Sequence, residues 1–150
     1  MVAAARECTF CRIAGAGDPS QAVYETAEVV AFLDHRPLFP GHTLVVPRAH
    51  HETLDDLPAD EVAPLFLATR LLSRAVEEAM EAEGSFVAIN NKVSQSVPHL
   101  HVHVVPRRKG DGLRGFFWPR QPYAGPEAME QTRRRVRAAV DRLQPAGGRR

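Results

Sequence analysis

Three histidines alternate along His99-Leu100-His101-Val102-His103, directly behind a polar loop that runs Asn90-Asn91-Lys92-Val93-Ser94-Gln95-Ser96. In an extended chain alternate side chains share a face, so the three imidazoles line one side while Leu100, Val102 and Val104 turn to the other. Neighbouring histidines in such a row stand roughly 6.6 Å apart at Cα, twice the rise per residue. Imidazole titrates near pH 6.5, so at neutral pH one ring can act as a nucleophile while another donates a proton. Phosphoryl chemistry needs an in-line nucleophile, donors for the non-bridging oxygens and a proton for the leaving group. A histidine row beside an Asn/Gln/Ser loop contains all three without a metal at phosphorus. The competing chemistry is a hydrolytic metal site, since His-x-His on a strand is also a ligand pair. Such a site usually includes a carboxylate, and none falls between Ser85 and Lys109.

A second candidate is Cys8-Thr9-Phe10-Cys11. Cys-x-x-Cys serves either as a redox pair or as half a metal site. A thioredoxin-type pair should open a helix inside a βαβ unit, and the flanking residues give no such context. Zinc needs two further nitrogen or sulfur ligands to close a tetrahedron.

The elements that must position these residues are short strands around one long helix. Val29 to Leu33 and His42 to Val46 read as strands, separated by a turn that Pro37, Pro40 and Gly41 enforce. Between about Asp60 and Glu83 apolar residues recur at three- and four-residue steps (Leu65, Ala68, Leu72, Val76), giving a helix with one apolar face. Pro64 should begin or kink it, and Gly84 should stop it. Phe86 to Ile89 and Pro98 to Pro106 are two more strands. A loop with Trp118 and Tyr123 leads to an Arg-rich helix, about 127 to 143, and a frayed tail over 144–150. The pattern is an α+β domain with an antiparallel sheet.

Composition narrows the classes. The chain has 150 residues, 44% hydrophobic and 25% charged, and a formal net charge of +1. That fits a single globular domain over residues 1–150 and argues against a nucleic-acid-coating protein. Of 19 basic residues 17 are arginines, so arginine alone says little about phosphate. Arg133, Arg134, Arg135 and Arg137 are expected to form a solvated helix face rather than a nucleic-acid surface. No apolar run is long enough for a membrane span, and no secretory leader is evident, so a cytoplasmic location with no membrane partner is expected.

The pattern His99 to Val105 resembles that of the histidine triad (HIT) hydrolases and transferases. Ala31-Phe32-Leu33-Asp34 with Pro37, then Gly41-His42-Thr43-Leu44-Val45-Val46-Pro47-Arg48-Ala49-His50, looks like that family's nucleotide-binding half. Cys8 to Ile13 resembles the opening of many bacterial members. The resemblance covers about residues 8–107, leaving a basic loop and C-terminal helix over 108–143. It implies a HIT-like fold, with an antiparallel sheet of about five strands, one long helix and a C-terminal helix.

The resemblance also implies roles. His101 would be the nucleophile, attacking the α-phosphorus of a nucleotide, and water would then release the nucleoside monophosphate. The backbone carbonyl of His99 would hold the other ring nitrogen of His101. His103 and His42 would face the phosphate and the nucleophile. Gln95 and Ser96 would donate to phosphate oxygens or the leaving group, with Asn90 adding polar contacts. Asp34 would accept from the ribose hydroxyls, with Phe32 and Leu33 beside the base and His35 close by. Phosphoramidates, acyl adenylates and dinucleoside polyphosphates are candidate substrates, with a purine nucleotide as ligand. A nucleotide-binding sensor with little turnover is the alternative. His50 and His99 are the suggested partners of Cys8 and Cys11 in a structural zinc site, with His51 competing for the place of His50, and a homodimer is implied. Ser94 departs from the family's usual glycine, and His103 favours hydrolase-like members over the branches that carry glutamine there.

Overall fold

The computed structural model describes residues 8–15, 22–113 and 121–143. The chain divides into two compact units, one up to Asp111 and one from Gly112. In the first, a short helix α1 (Thr9–Gly15) precedes β1 (Ala22–Glu25), β2 (Val29–Leu33) and β3 (Thr43–Pro47). A 3-10 turn (Leu54–Asp56), the long helix α2 (Ala59–Ala79), β4 (Gly84–Ala88) and β5 (Val102–Arg107) follow. The strands form one antiparallel sheet in the order β1-β2-β3-β5-β4. The expected α+β fold with a five-stranded antiparallel sheet is the fold observed.

The period of two along the strands sorts the core into two clusters. Val29, Ala31, Val45, Val102 and Val104 pack with Leu65, Ala68, Leu72 and Val76 of α2. Val30, Phe32, Leu44 and Val46 point the other way, where Cys8, Phe10 and Ala14 of the N-terminal hook cover them. Side-chain alternation puts Phe32, Asp34, His42, Leu44, His101 and His103 on this second side, away from α2. Register aligns Phe32, Leu44 and His103 across β2, β3 and β5.

Several boundaries differ from expectation. The long helix starts at Ala59, so Pro64 lies inside it, near enough to the start that only one ladder bond is forfeited. Its end is not Gly84, which opens β4 instead. The stop is a Schellman arrangement in which Glu81 takes the left-handed conformation (φ 51°); its N–H donates to Glu78 O and the N–H of Ala82 to Glu77 O. The ladder of β5 begins at Val102, so His99 to His101 precede the strand, with His99 N–H bonded to Val97 O and Leu100 N–H to His51 O. The Cys-x-x-Cys segment does open a helix, α1, although no βαβ unit follows. Gly41, at φ 93°, completes the turn that presents His42, and a Cβ there would lie 2.5 Å from Met80 Cγ.

The second unit contains α3 (Pro126–Leu143), which buries none of its residues. Arg133 and Arg134 pair with Glu130, and Arg137 with Asp141, one helical turn apart. These are the pairs of a solvated face. Tyr123 is exposed, and Trp118 lies outside the described residues. Among the described residues no helix is long and apolar enough to cross a membrane.

Candidate active site and metal centre

On the sheet face opposite α2 lies an open cavity of about 1170 Å³. Phe10, Phe32 and Leu44 supply apolar wall, and Asp34, Ser96, His101 and His103 bring the polar groups. Its size and mixed lining suit a nucleotide-sized ligand.

The hydrogen bonds fix which nitrogen of each imidazole carries the proton. His101 Nδ1 lies 2.7 Å from the carbonyl oxygen of His99. A carbonyl only accepts, so Nδ1 donates and the lone pair of His101 sits on Nε2. The backbone N–H of Leu38 donates to His42 Nδ1 at 3.2 Å. His42 therefore carries its proton on Nε2 and donates it to His103 Nδ1, 3.0 Å away. That in turn leaves the proton of His103 on Nε2. This nitrogen is buried and has no partner among the described residues, on a ring that lines the cavity. An unsatisfied buried donor is costly unless a ligand or water completes it. One backbone amide thus sets, through two imidazoles, a donor that awaits an acceptor.

Electrostatics keep this pair neutral. Burial, with His101 and His42 adjacent, pushes His103 down to about 4. His42 is also lowered, mainly by burial, with Asp34 partly opposing. Both are therefore uncharged donors at neutral pH. Asp34 accepts the N–H of Arg36 through Oδ1, and its Oδ2 lies 3.7 Å from His42 Nδ1. Its carboxylate reaches the cavity at the end of β2, beside the exposed ring of His35. Asp34, His42 and His103 also form a cluster of possible metal ligands. Folding thus supplies, from β2, the carboxylate missing from the sequence around the histidine row. The two imidazoles, however, already bond each other.

Two expected residues are not turned into the cavity. Gln95 Oε1 accepts from Lys92 N–H and its Nε2 donates to Glu52 O at 2.6 Å. Asn90 Nδ2 donates to Ser94 O within the same loop. Both side chains brace the loop, while Ser96 lines the cavity. Lys92 and Ser94 both adopt positive φ, 68° and 60°, so this loop is a place where glycine would fit without strain. Phe10 is one of the cavity residues that sequence reasoning missed. It stands edge-on to His101 with ring centroids 5.2 Å apart and to Phe32 at 5.4 Å. Its position between two candidate metal ligands was the available signal.

Behind the cavity, Cys8, Cys11, His50 and His99 bring four donor atoms within 4.8 Å of one another. Cys8 Sγ and Cys11 Sγ lie 3.5 and 3.4 Å from His99 Nδ1, and Cys11 Sγ lies 3.2 Å from His50 Nδ1. Bonds of about 2.3 Å to sulfur and 2.0–2.1 Å to nitrogen in a tetrahedron need donor separations of roughly 3.3–3.8 Å. The donor set fits that metal. His99 Nε2 donates to Pro47 O at 2.8 Å, which turns an unprotonated Nδ1 toward the two sulfurs. Burial and the neighbouring Cys8 push the Cys11 thiol up to about 11, so a thiolate there needs a cation beside it. His51 is bonded to Glu61 at 3.1 Å instead. Among the two adjacent histidines, only His50 joins the cluster.

A HIT domain model matches residues 16–110. The chain belongs to the HIT family. A HIT-like protein of Saccharolobus solfataricus, itself uncharacterized, is 43% identical over 117 residues, 76% of this chain and 84% of its own length. A Schizosaccharomyces pombe protein named as an asymmetrical bis(5′-nucleosyl)-tetraphosphatase is 38% identical over 94 residues, 61% of this chain and 52% of its own. Among solved structures, a zinc-bound histidine triad family protein from Mycobacterium smegmatis matches with a TM-score of 0.67 at 34% identity. The match covers 93% of this chain and 99% of that one.

Proposed function

We propose that this HIT protein is a nucleotide hydrolase or nucleotidyl transferase that works through a covalent nucleotidyl-histidine on His101. The observation that carries this is the tautomer of His101: its Nδ1–H is held by the carbonyl of His99, so the basic nitrogen is Nε2, on a ring that lines the cavity. In the reaction Nε2 attacks the α-phosphorus, the bond from phosphorus to the leaving group breaks, and the leaving group takes up a proton from solvent. Water then attacks the phosphorus, the phosphorus–nitrogen bond breaks, the proton lost by the water returns to solvent, His101 is restored and a nucleoside monophosphate leaves. His103 Nε2–H supplies a fixed, uncharged donor to a non-bridging oxygen, which favours the charge that builds there. His42 sets that donor, and Ser96, which lines the cavity, serves the leaving group in this reading. Asp34 accepts from ribose hydroxyls, and Phe32 offers its ring to a purine. Phosphoramidates, acyl adenylates and dinucleoside polyphosphates share the required α-phosphorus. The named relative's activity favours the last of these.

The same proposal includes zinc at Cys8, Cys11, His50 and His99, where it would supply a structural crosslink rather than reaction chemistry. It also includes a second copy of the chain as partner. Beside its buried stripe, α2 has another apolar strip, with Val62, Phe66, Leu67 and Leu71 exposed, near the edge strand β4 with exposed Val87. Exposed apolar surface of this kind on a helix marks an interface.

Rapid mixing with adenosine 5′-phosphoramidate, quenched and analysed for an acid-labile phosphorus–nitrogen adduct, tests the mechanism. Wild type forms and clears the adduct, and His101→Ala forms none and loses about a thousandfold or more in kcat/KM, as expected for removing a nucleophile. Undiminished turnover by His101→Ala would refute it. The alternative, a nucleotide sensor with little turnover, draws support from Gln95 being committed to the loop backbone. It predicts binding without an adduct in wild type.

A further inference from the structure

Two of the four metal donors, Cys8 directly before α1 and Cys11 on it, share one short segment with part of the cavity wall. Cys8 and Cys11 flank Phe10, so the residues that face the four-donor cluster and the residue that faces His101 lie within a single turn. Seven residues of helix do not hold themselves together in water, and α1 buries only Phe10 and Ala14. Its seat therefore depends on tertiary contacts: besides the packing of Ala14 and Ile13 against the sheet, three anchors stand out among the described residues. One is the cluster of Cys8, Cys11, His50 and His99. The second is the packing of Phe10 against Phe32, His101 and His99, at centroid distances of 5.4, 5.2 and 6.0 Å. The third is Arg48, whose guanidinium reaches the carbonyl oxygens of Ala14 and Thr26 and the carboxylate of Glu25. Thr9, Phe10 and Ile13, all on α1, line the same cavity as Asp34 and His101.

A wall that docks or lifts as one piece is an element that two ligands can bias together. Metal at the four donors favours the docked helix from behind, and a nucleotide against Phe10 favours it from the front. Each then tightens the other by the same factor, because linkage is reciprocal. We propose that α1 is a metal-set wall of the nucleotide cavity, with Phe10 as the positioning residue through which metal occupancy controls nucleotide affinity. This rests on the preceding assignment of a nucleotide to the cavity and zinc to the four donors, and it adds the regulation of one by the other. The contact of Phe10 with the His101 ring carries the effect to the reacting nitrogen as well.

The test uses the full chain. Zinc affinity is measured by competition with a chromogenic chelator, with and without saturating AMP, and AMP affinity by calorimetry on metal-free and zinc-loaded protein. The expected result is that zinc tightens AMP binding about tenfold and AMP tightens zinc binding by the same factor, within the range typical of coupled sites. In Phe10→Ala both ligands still bind, and the factor falls to near one. Phe10→Leu, which preserves apolar volume, gives an intermediate factor and serves if the alanine variant does not fold. A wild-type factor within twofold of one, with both ligands bound, overturns the proposal and leaves the metal and nucleotide assignments standing. So does a Phe10→Ala protein that retains the wild-type factor. Zinc that fails to bind overturns the metal assignment together with this proposal, and AMP that fails to bind does the same for the nucleotide assignment.

Discussion

Acid should weaken this fold through His103, by an amount the site geometry sets. The ring is held neutral by burial and by its neighbours His101 and His42, which bring its titration down from 6.5 to about 4. In the unfolded chain the same residue takes up its proton near 6.5. Between those values the unfolded state binds the extra proton, so stability rises with pH across that window. The contribution is fully present above about 6.5, is lost progressively as pH falls, and is gone below about 4. A displacement of this size corresponds to at most about 3 kcal/mol. The perturbation is His103→Gln, which cannot titrate but keeps an acceptor for His42 Nε2–H. Urea unfolding midpoints of both proteins at intervals from pH 7.5 to 4.5 give the comparison. The variant starts less stable at neutral pH, because a buried hydrogen bond is altered, and its stability falls less steeply with acid. The gap between the two proteins narrows as pH falls. Parallel curves would show that His103 takes up its proton in the folded state as easily as in the unfolded one. The uncharged donor assigned to this ring would then be wrong.

Two further outcomes follow from the surroundings of the site. Ser94, at φ 60°, sits where a side chain costs strain, so Ser94→Gly should raise stability by about 0.5 kcal/mol after the glycine's own chain entropy is subtracted, visible as a shift in urea midpoint. An unchanged or lowered midpoint would mean that the loop holds Ser94 without strain. Leu71, half exposed on the outer strip of α2, belongs to the face assigned to a second copy. Light scattering on the eluted protein should give twice the chain mass for wild type and a single chain mass for Leu71→Glu with unchanged circular dichroism. A wild type of single mass removes the homodimer.

Periodicity made much of this molecule legible from sequence, and it failed where tertiary contacts decide. Val29 to Leu33 was readable because β-branched and aromatic residues in a row can do little else. The long helix was readable from its three- and four-residue steps. Its ends were not, because Glu81 takes a left-handed stop that usually marks glycine, leaving Gly84 for the strand. The helix Thr9–Gly15 carries too short a pattern to see, and it is held from outside itself. Within the site, alternation correctly implied that the three histidines leave the apolar face, with Leu100, Val102 and Val104 buried under α2. What alternation cannot say is which ring nitrogen bears a proton, since that depends on Leu38, Pro47 and the carbonyl of His99. Gln95 was read from its neighbours in sequence, whereas its partner Glu52 lies 43 residues away.

His99 explains why the triad is a unit rather than three independent bases. Its Nε2–H is fixed by Pro47 O at the end of β3, its Nδ1 faces the two cysteines, and its carbonyl holds Nδ1 of His101. The ring and the backbone of one residue thus orient two different chemistries. Exchanging His99 for a residue that keeps the carbonyl but lacks the ring would spare the hydrogen bond to His101 on paper. It would also strip the cluster of the donor that both cysteines reach, and with it the seat of α1. Because Phe10 on that helix packs against His101, the loss returns to the proposed nucleophile by a second route. In the proposed mechanism the alternation of three histidines is a division of labour: one residue anchors the scaffold, one offers the reacting nitrogen and one points a neutral donor, and alternation of side chains along the chain keeps them on a common side.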